Sequence, residues 1–467
     1  MKKTQKSEYL SGNGGIWEVL KIAMPLILAA STHAVNLYVD RAMLAQYDYD
    51  AMGASFASGL TNFTCTCLFM GLIGYTGTFV AQYAGANQPK RIGISVWQGI
   101  FMAIAGGVFM WTSILWAKPM FELFGHDKHL IPLEISYFKI LSIGAIFMLI
   151  QNALSCFWSG RGKTAVVMGV SFFTMCINIP LNYLLIFGKF GFPELGIAGA
   201  AWGTVIACIA GCVIFFALFV SPRARRHFGT WGNFIDWELF RRMLRYGFPA
   251  GVHLFLDLAA FNVFAIILGR YGEAIQEATS IAFGINNISF TPILGVGQAI
   301  CILVGQSIGA KDIPHAVKCV KSARSLLLVY TVCMTCLFVF GQEIVMAPFA
   351  KGGADEAESL KLAGSMLKFV AAYLLFDNIV ILYSNAIRGA GDTKFAMYLI
   401  CIAAWGGLGI PSIVIYMMGG SVWALWSLLV GYIVVLGICF YWRYYTGKWK
   451  NMRVIEDTLP SSPGENA

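Results

Sequence analysis

Twelve long apolar stretches constrain the fold of this chain more than any other feature of its sequence. The hydrocarbon core of a bilayer is roughly 30 Å thick, and about 20 helical residues cross it. Of the 467 residues, 58% are hydrophobic and only 12% are charged, which is too apolar for a fold surrounded by water. We therefore expect an all-α membrane protein with twelve transmembrane helices. The predicted spans are residues 16–45, 52–83, 92–117, 130–158, 164–187, 196–220, 241–269, 276–308, 317–341, 361–387, 394–418 and 421–444.

The net charge of +9 is distributed unevenly between the two predicted sides of the membrane. If both termini lie on one side, most of the 33 lysines and arginines lie on that side too. Basic residues concentrate on the cytoplasmic side of membrane proteins. We therefore expect both termini in the cytoplasm of a bacterial cell and the chain in its inner membrane. The charge orients the protein, and no nucleic-acid partner is expected.

The sequence also repeats itself once. VAQYAGAN (80–87) recurs as VGQSIGAK (304–311), and SGRGKT (159–164) recurs as RGAGDT (388–393). Because each copy has six predicted helices, an even number, both halves enter the membrane from the same side, and an axis along the membrane normal should relate them. We expect two homologous six-helix lobes with a cavity between them.

The repeat predicts a division of the chain into five segments. They are a cytoplasmic N-terminal segment (1–15), an N-lobe (16–220), a cytoplasmic linker (221–240), a C-lobe (241–444) and a cytoplasmic C-terminal tail (445–467). We expect the polar sequence from Glu456 onward to be disordered.

Three aspartates interrupt the apolar stretches. Asp40 lies toward the end of the first predicted helix, whereas Asp257 and Asp377 lie mid-helix with no basic residue at helical spacing. A charged side chain inside the bilayer costs about 2.5–3.5 kcal/mol on insertion scales, so such residues commonly serve a function. Each aspartate is a candidate for binding a cation or a proton. A local ion pair or a helix end in the headgroup layer is the alternative for each of them, and it is strongest for Asp40, which precedes Arg41.

Other oxygen-bearing side chains accompany these aspartates. Tyr373 precedes Asp377 by one helical turn, and Asn178 and Asn182 share one face of their helix. Carboxylate, amide and hydroxyl oxygens are hard ligands that suit Na+, whereas a proton needs only one carboxylate. Hydrogen bonding between helices is the alternative role for the two asparagines.

The sequence contains no recognisable enzyme motif. SGRGKT ends like a phosphate-binding loop, but Phe157 stands where that loop needs its first glycine. We therefore expect no enzymatic activity and no cofactor, apart from a coupling ion.

Four segments together resemble the multidrug and toxic compound extrusion (MATE) family, and its bacterial sodium-coupled group in particular. They are PLILAASTHAVNLYVDRAMLA (25–45), FVAQYAGANQPKR (79–91), NIPLNYLLIFGKFGFPELGIAGAAWGT (178–204) and IRGAGDTK (387–394). The resemblance runs nearly end to end. It implies a V-shaped pair of lobes in a monomer surrounded by lipid. It also implies antiport of small organic cations and other xenobiotics against Na+ or H+ by alternating access.

The resemblance implies a cation site in each lobe. In the N-lobe, the family's ligands fall on Asp40, Asn178, Ala200 and Thr204. Asn182 stands where many members carry a second aspartate. It keeps an oxygen ligand but cannot titrate, which weakens a purely protonic mechanism in this lobe.

In the C-lobe, the family's ligands fall on Asp257, Tyr373 and Asp377, with Asp257 replacing the glutamate of the sodium-coupled group. Both carboxylates are kept, so we favour this lobe for coupling, with Na+ and H+ both open. The alternative function is that of a flippase for lipids or lipid-linked oligosaccharides, from the same superfamily. A flippase for phosphate-bearing lipids would need a basic cavity rather than three acidic positions.

Overall fold

Twelve helices of the computed structural model are long and apolar enough to span a membrane. The structure describes residues 12–123, 129–232, 234–347 and 354–456, and these ranges contain no β-strand. The first six spans are α1 (Ile16–Tyr47), α2 (Tyr49–Gly85), α3 (Pro89–Leu123), α4 (Ile131–Ser159), α5 (Thr164–Phe187) and α6 (Ile197–Phe219). The last six are α7 (Trp237–Gly269), α8 (Glu273–Gly309), α9 (Ile313–Phe340), α10 (Ala354–Ala390), α11 (Thr393–Met417) and α12 (Val422–Tyr445).

The helices follow the predicted spans closely and confirm the all-α fold. The larger differences are at α10, which begins at Ala354 rather than at residue 361, and at α3, which ends at Leu123 rather than at residue 117. Helix α7 begins at Trp237 rather than at residue 241. The Asp236 side chain caps this helix by accepting a hydrogen bond of 3.0 Å from the backbone N–H of Leu239. Residues 1–11 of the predicted N-terminal segment and 457–467 of the predicted tail lie outside the described residues.

The two halves pack as repeated lobes. In the N-lobe α4 packs against α2, α3 and α6, and in the C-lobe the equivalent helix α10 packs against α8, α9 and α12. Helix α1 packs against α5 just as α7 packs against α11. The two-lobe repeat predicted from the sequence is therefore confirmed.

The first helix of each lobe begins within the opposite lobe. Val19 and Leu26 of α1 belong to the apolar core of the C-lobe, whereas Leu239 and Met243 of α7 belong to that of the N-lobe. We call the membrane face that carries both ends of the described chain the terminal face, and the exchange takes place there. Toward the opposite face α1 places Leu44 in a core formed by N-lobe helices alone. The lobes thus exchange the starts of their first helices near the terminal face.

Helices α2 and α8 cross closely at the terminal face. A Cβ atom at Gly85 would overlap the backbone carbonyl of Gln306, and one at Gly309 would overlap that of Gln82. Small residues let two helix backbones approach closely in a membrane, where packing contacts stabilise helix association. The glycines repeated in VAQYAGAN and VGQSIGAK therefore form a close contact between the lobes at this face.

The glutamines of the same motifs bond across this crossing. The amide Nε2 of Gln82 donates to the carbonyl oxygen of Gly389 at 3.0 Å, and that of Gln306 donates to the carbonyl oxygen of Gly160 at 2.8 Å. Gly160 and Gly389 belong to the second repeated motif, SGRGKT and RGAGDT. A glutamine of each lobe thus donates a hydrogen bond to the backbone of the other lobe. These two bonds hold the lobes together at the terminal face.

The start of the tail lies against both lobes. The backbone N–H of Val454 donates to Oε1 of Gln82 at 3.0 Å, and the Val454 side chain is buried. Glu456 accepts a hydrogen bond of 2.8 Å from the Tyr83 hydroxyl and forms an ion pair of 2.5 Å with Arg242. We call residues 454–456 the tail strap. The expectation of disorder from Glu456 onward is wrong for Glu456 itself, because these polar contacts fix its side chain.

The charge of Glu456 is stable at neutral pH. Burial acts to raise the pKa of Glu456, but hydrogen bonds from its own backbone N–H and from Tyr83, together with the charge of Arg242, hold it below the usual 4.5. A lowered folded-state pKa means that this stabilisation is present above pH 4.5 and is lost as the pH falls through the folded-state pKa.

Replacing Gly85 or Gly309 with alanine should separate the lobes at the terminal face. The added methyl group would meet a backbone carbonyl, which cannot rotate away as a side chain can. Distances between spin labels at positions 163 and 394, in a background without the native cysteines, should become longer. Gly169→Ala is the control, because its Cβ would meet nothing within 4 Å. Unchanged distances in both variants would contradict the role given to this crossing.

Glu456→Gln should loosen the terminal face and broaden the same label distances, because the strap loses its ion pair with Arg242. Glu238→Gln is a matched control, since Glu238 pairs with the same arginine at 2.5 Å but lies on the same helix. Equal broadening in the two variants would show that the strap adds nothing to closure. The wild-type distances should stay narrow at neutral pH and broaden only in acid, below the usual pKa range of glutamate.

Candidate cation sites

The N-lobe site joins α1 to α5 through an aspartate and two asparagines. The amide Nδ2 of Asn182 donates to Oδ1 of Asp40, and also to Oδ1 of Asn178 at 3.2 Å. All three side chains are buried. Asn178 and Asn182 are one helical turn apart, so both lie on the same face of α5. The structure therefore brings these three predicted residues together.

The chemistry of Asp40 fixes which way the amide of Asn182 points. A carboxylate accepts hydrogen bonds, so the amide nitrogen must face it, and Oδ1 of Asn182 then points toward α6. This buried oxygen has no hydrogen-bond partner among the described residues. A Cβ at Gly203 would overlap it, so only glycine leaves room for the amide at that position.

Ala200 and Thr204 lie on α6, next to this group. The hydroxyl of Thr204 donates to the carbonyl oxygen of Ala200, one turn earlier, at 3.1 Å. Ala200 is buried in the N-lobe core together with Leu44 of α1. Within the described residues, no hydrogen bond joins Thr204 to Asp40. The structure therefore leaves Thr204 outside the hydrogen-bonded group, and its role as a ligand stays a prediction.

The C-lobe site joins α7, α10 and α12. The hydroxyl of Tyr432 on α12 donates to Oδ1 of Asp257 on α7 at 2.8 Å. Asp377 on α10 lies close enough to Asp257 for an electrostatic interaction between the two carboxyl groups. Tyr373, one turn before Asp377 on α10, interacts in the same way with Asp377. The structure thus brings Asp257, Asp377 and Tyr373 near one another, with Tyr432 bonded to Asp257, and their role as cation ligands stays a prediction.

The two carboxylates of the C-lobe differ in their protein contacts. Asp257 accepts the charge-assisted hydrogen bond from Tyr432. Among the described residues, Asp377 has neither a hydrogen bond nor an ion pair. Its neighbour Asn378 points elsewhere, donating to the Thr331 hydroxyl of α9 at 3.1 Å. Because few hydrogen-bond donors surround these two carboxylates, a cation or a proton between them would be stabilised.

An irregular turn of α11 lies beside the C-lobe site. Residues Trp405–Gly409 form a π-helical turn within α11. A Cβ at Gly407 would lie 3.7 Å from the Tyr432 ring, and one at Gly409 would lie 3.8 Å from Ala260 of α7. Single π-turns inside α-helices occur frequently at functional sites. The turn therefore packs against the two helices that carry Asp257 and Tyr432.

Sequence reasoning missed Tyr432 and Gly203. Tyr432 is a lone hydroxyl-bearing residue in an apolar run, a signal that could have suggested a buried hydrogen bond. Gly203 stands one residue before Thr204 in the segment that carries the family resemblance. Neither residue is next in sequence to the group it contacts, so only the fold shows the pairing.

Comparison with known proteins gives a consistent result. The MatE family model matches residues 25–184 and 249–415, one segment in each lobe. The probable multidrug resistance protein NorM of Neisseria meningitidis serogroup B is 24% identical over 428 residues, which cover 90% of this chain and 92% of that protein. The protein of the same name from Thermotoga maritima is 24% identical over 443 residues, which cover 94% of each chain.

Solved structures show the same fold. A MOP superfamily transporter from Pyrococcus furiosus superposes with a TM-score of 0.81 at 18% identity, covering 95% of this chain and 98% of its own. The outward-facing conformation of a multidrug resistance MATE family transporter superposes with a TM-score of 0.82 at 17% identity, with the same coverage.

Tyr432→Phe should weaken cation binding in the C-lobe while leaving the fold intact. It removes the O–H group that stabilises ionised Asp257, and a hydrogen bond to a charged group contributes about 1.5–3 kcal/mol. We expect the apparent affinity of the purified protein for radiolabelled Na+ to fall by about tenfold, because a carboxyl group that keeps its proton cannot bind Na+. Tyr398→Phe, on the exposed face of α11, is the control and should behave as wild type. Unaltered binding in Tyr432→Phe would remove Tyr432 from the site.

Proposed function

Because the chain belongs to the MatE family, we propose that it is a secondary active multidrug efflux transporter that exchanges organic cations for Na+ or H+ by alternating access. The observation that carries this proposal is the pair of polar sites inside the membrane, one in each lobe. Each contains at least one carboxylate among oxygen-bearing side chains. The names of the relatives from Neisseria meningitidis and Thermotoga maritima support multidrug transport.

We place the coupling ion in the C-lobe. Asp257 and Asp377 provide two negative charges, and Tyr373 and Tyr432 add hydroxyl oxygens next to them. In the N-lobe, by contrast, Asn182 already donates to the single carboxylate, Asp40. A cation entering the C-lobe down its gradient also gains about 2.3 kcal/mol per charge per 100 mV of membrane potential. Entry of that ion would drive release of the drug.

The same carboxylates explain the substrate class. An organic cation and a coupling ion compete for negative charge, so binding of one favours release of the other. The acidic character of both sites argues against a flippase that must hold lipid phosphates, which require basic residues. We propose small lipophilic cations as substrates.

The orientation follows from the basic residues of the terminal face. Arg91 and Arg242 lie there in ion pairs with Asp236 and Glu456, and Arg443 pairs with Asp392 at 2.6 Å. By the positive-inside rule we propose that this face is cytoplasmic and that the lobes open to the other side of a bacterial inner membrane. Since one chain contains both sites, a monomer has all the parts that this mechanism needs.

The test is efflux of a fluorescent organic cation from liposomes that contain the purified protein. A sodium gradient and a pH gradient are imposed separately at matched membrane potential. We expect Asp377→Asn to lower the driven flux at least tenfold, which corresponds to about 1.4 kcal/mol of lost cation binding. Glu277→Gln, an exposed carboxylate change on α8, is the control and should leave flux unchanged.

Each outcome assigns a different site or function. Sodium-driven flux that Asp377→Asn abolishes supports the C-lobe sodium site. Flux that survives Asp377→Asn but is lost in Asp40→Asn moves coupling to the N-lobe. An absence of flux under both gradients in the wild type, with the fold intact, would overturn the antiport proposal and favour the flippase.

A further inference from the structure

Three metal-ligating side chains meet at the terminal face, far from both carboxylate sites. Glu18 belongs to α1 of the N-lobe, whereas His315 and Cys319 lie one turn apart on α9 of the C-lobe. Nε2 of His315 lies 3.4 Å from Oε2 of Glu18 and 3.8 Å from Sγ of Cys319, and all three ligand atoms lie within 4.8 Å of one another. Ligand atoms around a tetrahedral Zn2+ are about 3.3–3.8 Å apart, given bonds of 2.0–2.3 Å.

The hydrogen bonds of His315 show which of its nitrogens carries a proton. The Ser307 hydroxyl donates to the carbonyl oxygen of Leu303 at 2.7 Å, so its oxygen is left to accept from Nδ1 of His315 at 2.8 Å. Nδ1 is therefore the protonated nitrogen of the neutral ring, and the lone pair of Nε2 faces Glu18 and Cys319. A hydrogen bond of this kind, donated by the ring nitrogen that does not bind the metal, orients many metal-bound histidines.

Three electron-pair donors thus face one another in this group. A proton on Nε2 of His315 could form a hydrogen bond with either Glu18 or Cys319, whereas a metal ion could bind all three ligand atoms at once. A thiolate, an imidazole and a carboxylate form a mixed soft and hard set typical of Zn2+. The side chains of Glu18 and His315 are 34% and 21% exposed, so an ion and one water ligand can reach them from the terminal face.

We propose that Glu18, His315 and Cys319 form a binding site for Zn2+ or a similar divalent transition metal that ties α1 of the N-lobe to α9 of the C-lobe. The metal binds the arrangement in which the terminal face is closed. The start of α1 lies in the C-lobe core and its other end lies in an N-lobe core, so the metal keeps this N-lobe helix docked against α9. Zn2+ therefore stabilises the closed arrangement by mass action and slows turnover.

The test uses metal binding by the purified full-length chain, and it is independent of transport. Co2+, which replaces Zn2+ in such sites, should give a thiolate-to-metal charge-transfer band that Zn2+ abolishes. Cys319→Ser should remove the band, and His315→Gln and Glu18→Gln should weaken Co2+ binding at least tenfold. The controls are Cys333→Ser, an exposed cysteine on the same helix, and His227→Gln, away from the group.

Distances between labels attached through unnatural amino acids at positions 163 and 394, with all native cysteines in place, provide the second readout. Zn2+ should narrow their distribution in the wild type and in both controls, but not in Cys319→Ser. The absence of a thiolate band, or a band that persists in Cys319→Ser, would overturn the site and leave Glu18 and His315 as a simple ion pair. If the protein proves not to transport organic cations, the Co2+ result still decides this proposal.

Discussion

The close crossing of α2 and α8 is the contact on which the rest of this structure depends. Lipid is as apolar as the helices, so association within a membrane rests on packing and on hydrogen bonds between helices. Gly85 and Gly309 provide the packing, because each lets a backbone carbonyl approach, and Gln82 and Gln306 provide the hydrogen bonds. With the lobes joined at one face, each contains its own polar site, Asp40 with Asn182 in the N-lobe and Asp257 with Tyr432 in the C-lobe. The tail strap and the Glu18 group lie at the same closed face.

The two polar sites deal with their buried charge in different ways. In the N-lobe, the amide of Asn182 donates to Asp40, so the protein itself stabilises the single carboxylate. In the C-lobe, Tyr432 stabilises Asp257, whereas the described residues offer Asp377 no donor. A carboxylate in a membrane interior that lacks a protein donor needs a cation or a proton to remain there at low cost. This difference favours the C-lobe for coupling and gives the N-lobe site a more structural character.

The sequence predicted the features that depend on local pattern. Apolar runs located the helices, and the repeated VAQYAGAN and VGQSIGAK motifs predicted two lobes, because spacing along a chain encodes both. Asp40, Asn178 and Asn182 were grouped through the family resemblance, and the structure brings them into contact. The contact of Tyr432 with Asp257 was not predicted, since α7 and α12 are remote in sequence and no periodicity links them. The exchange of α1 and α7 between the cores was missed for the same reason, because either lobe could accommodate an apolar helix start.

The reciprocal glutamine bonds have the geometry of an isologous interface, in which the same patch appears on both sides of a twofold axis. Gln82 of the N-lobe donates a hydrogen bond to Gly389 of the C-lobe, and Gln306 of the C-lobe donates one to Gly160 of the N-lobe. Two identical six-helix chains would meet through such a patch as a C2 dimer. A homodimer has to carry the same residues twice, so any substitution in one half appears in the other. Joining the halves into one chain removes that requirement. Each half can then change independently, so that the N-lobe site carries Asn182 while the C-lobe site carries a second aspartate, Asp377.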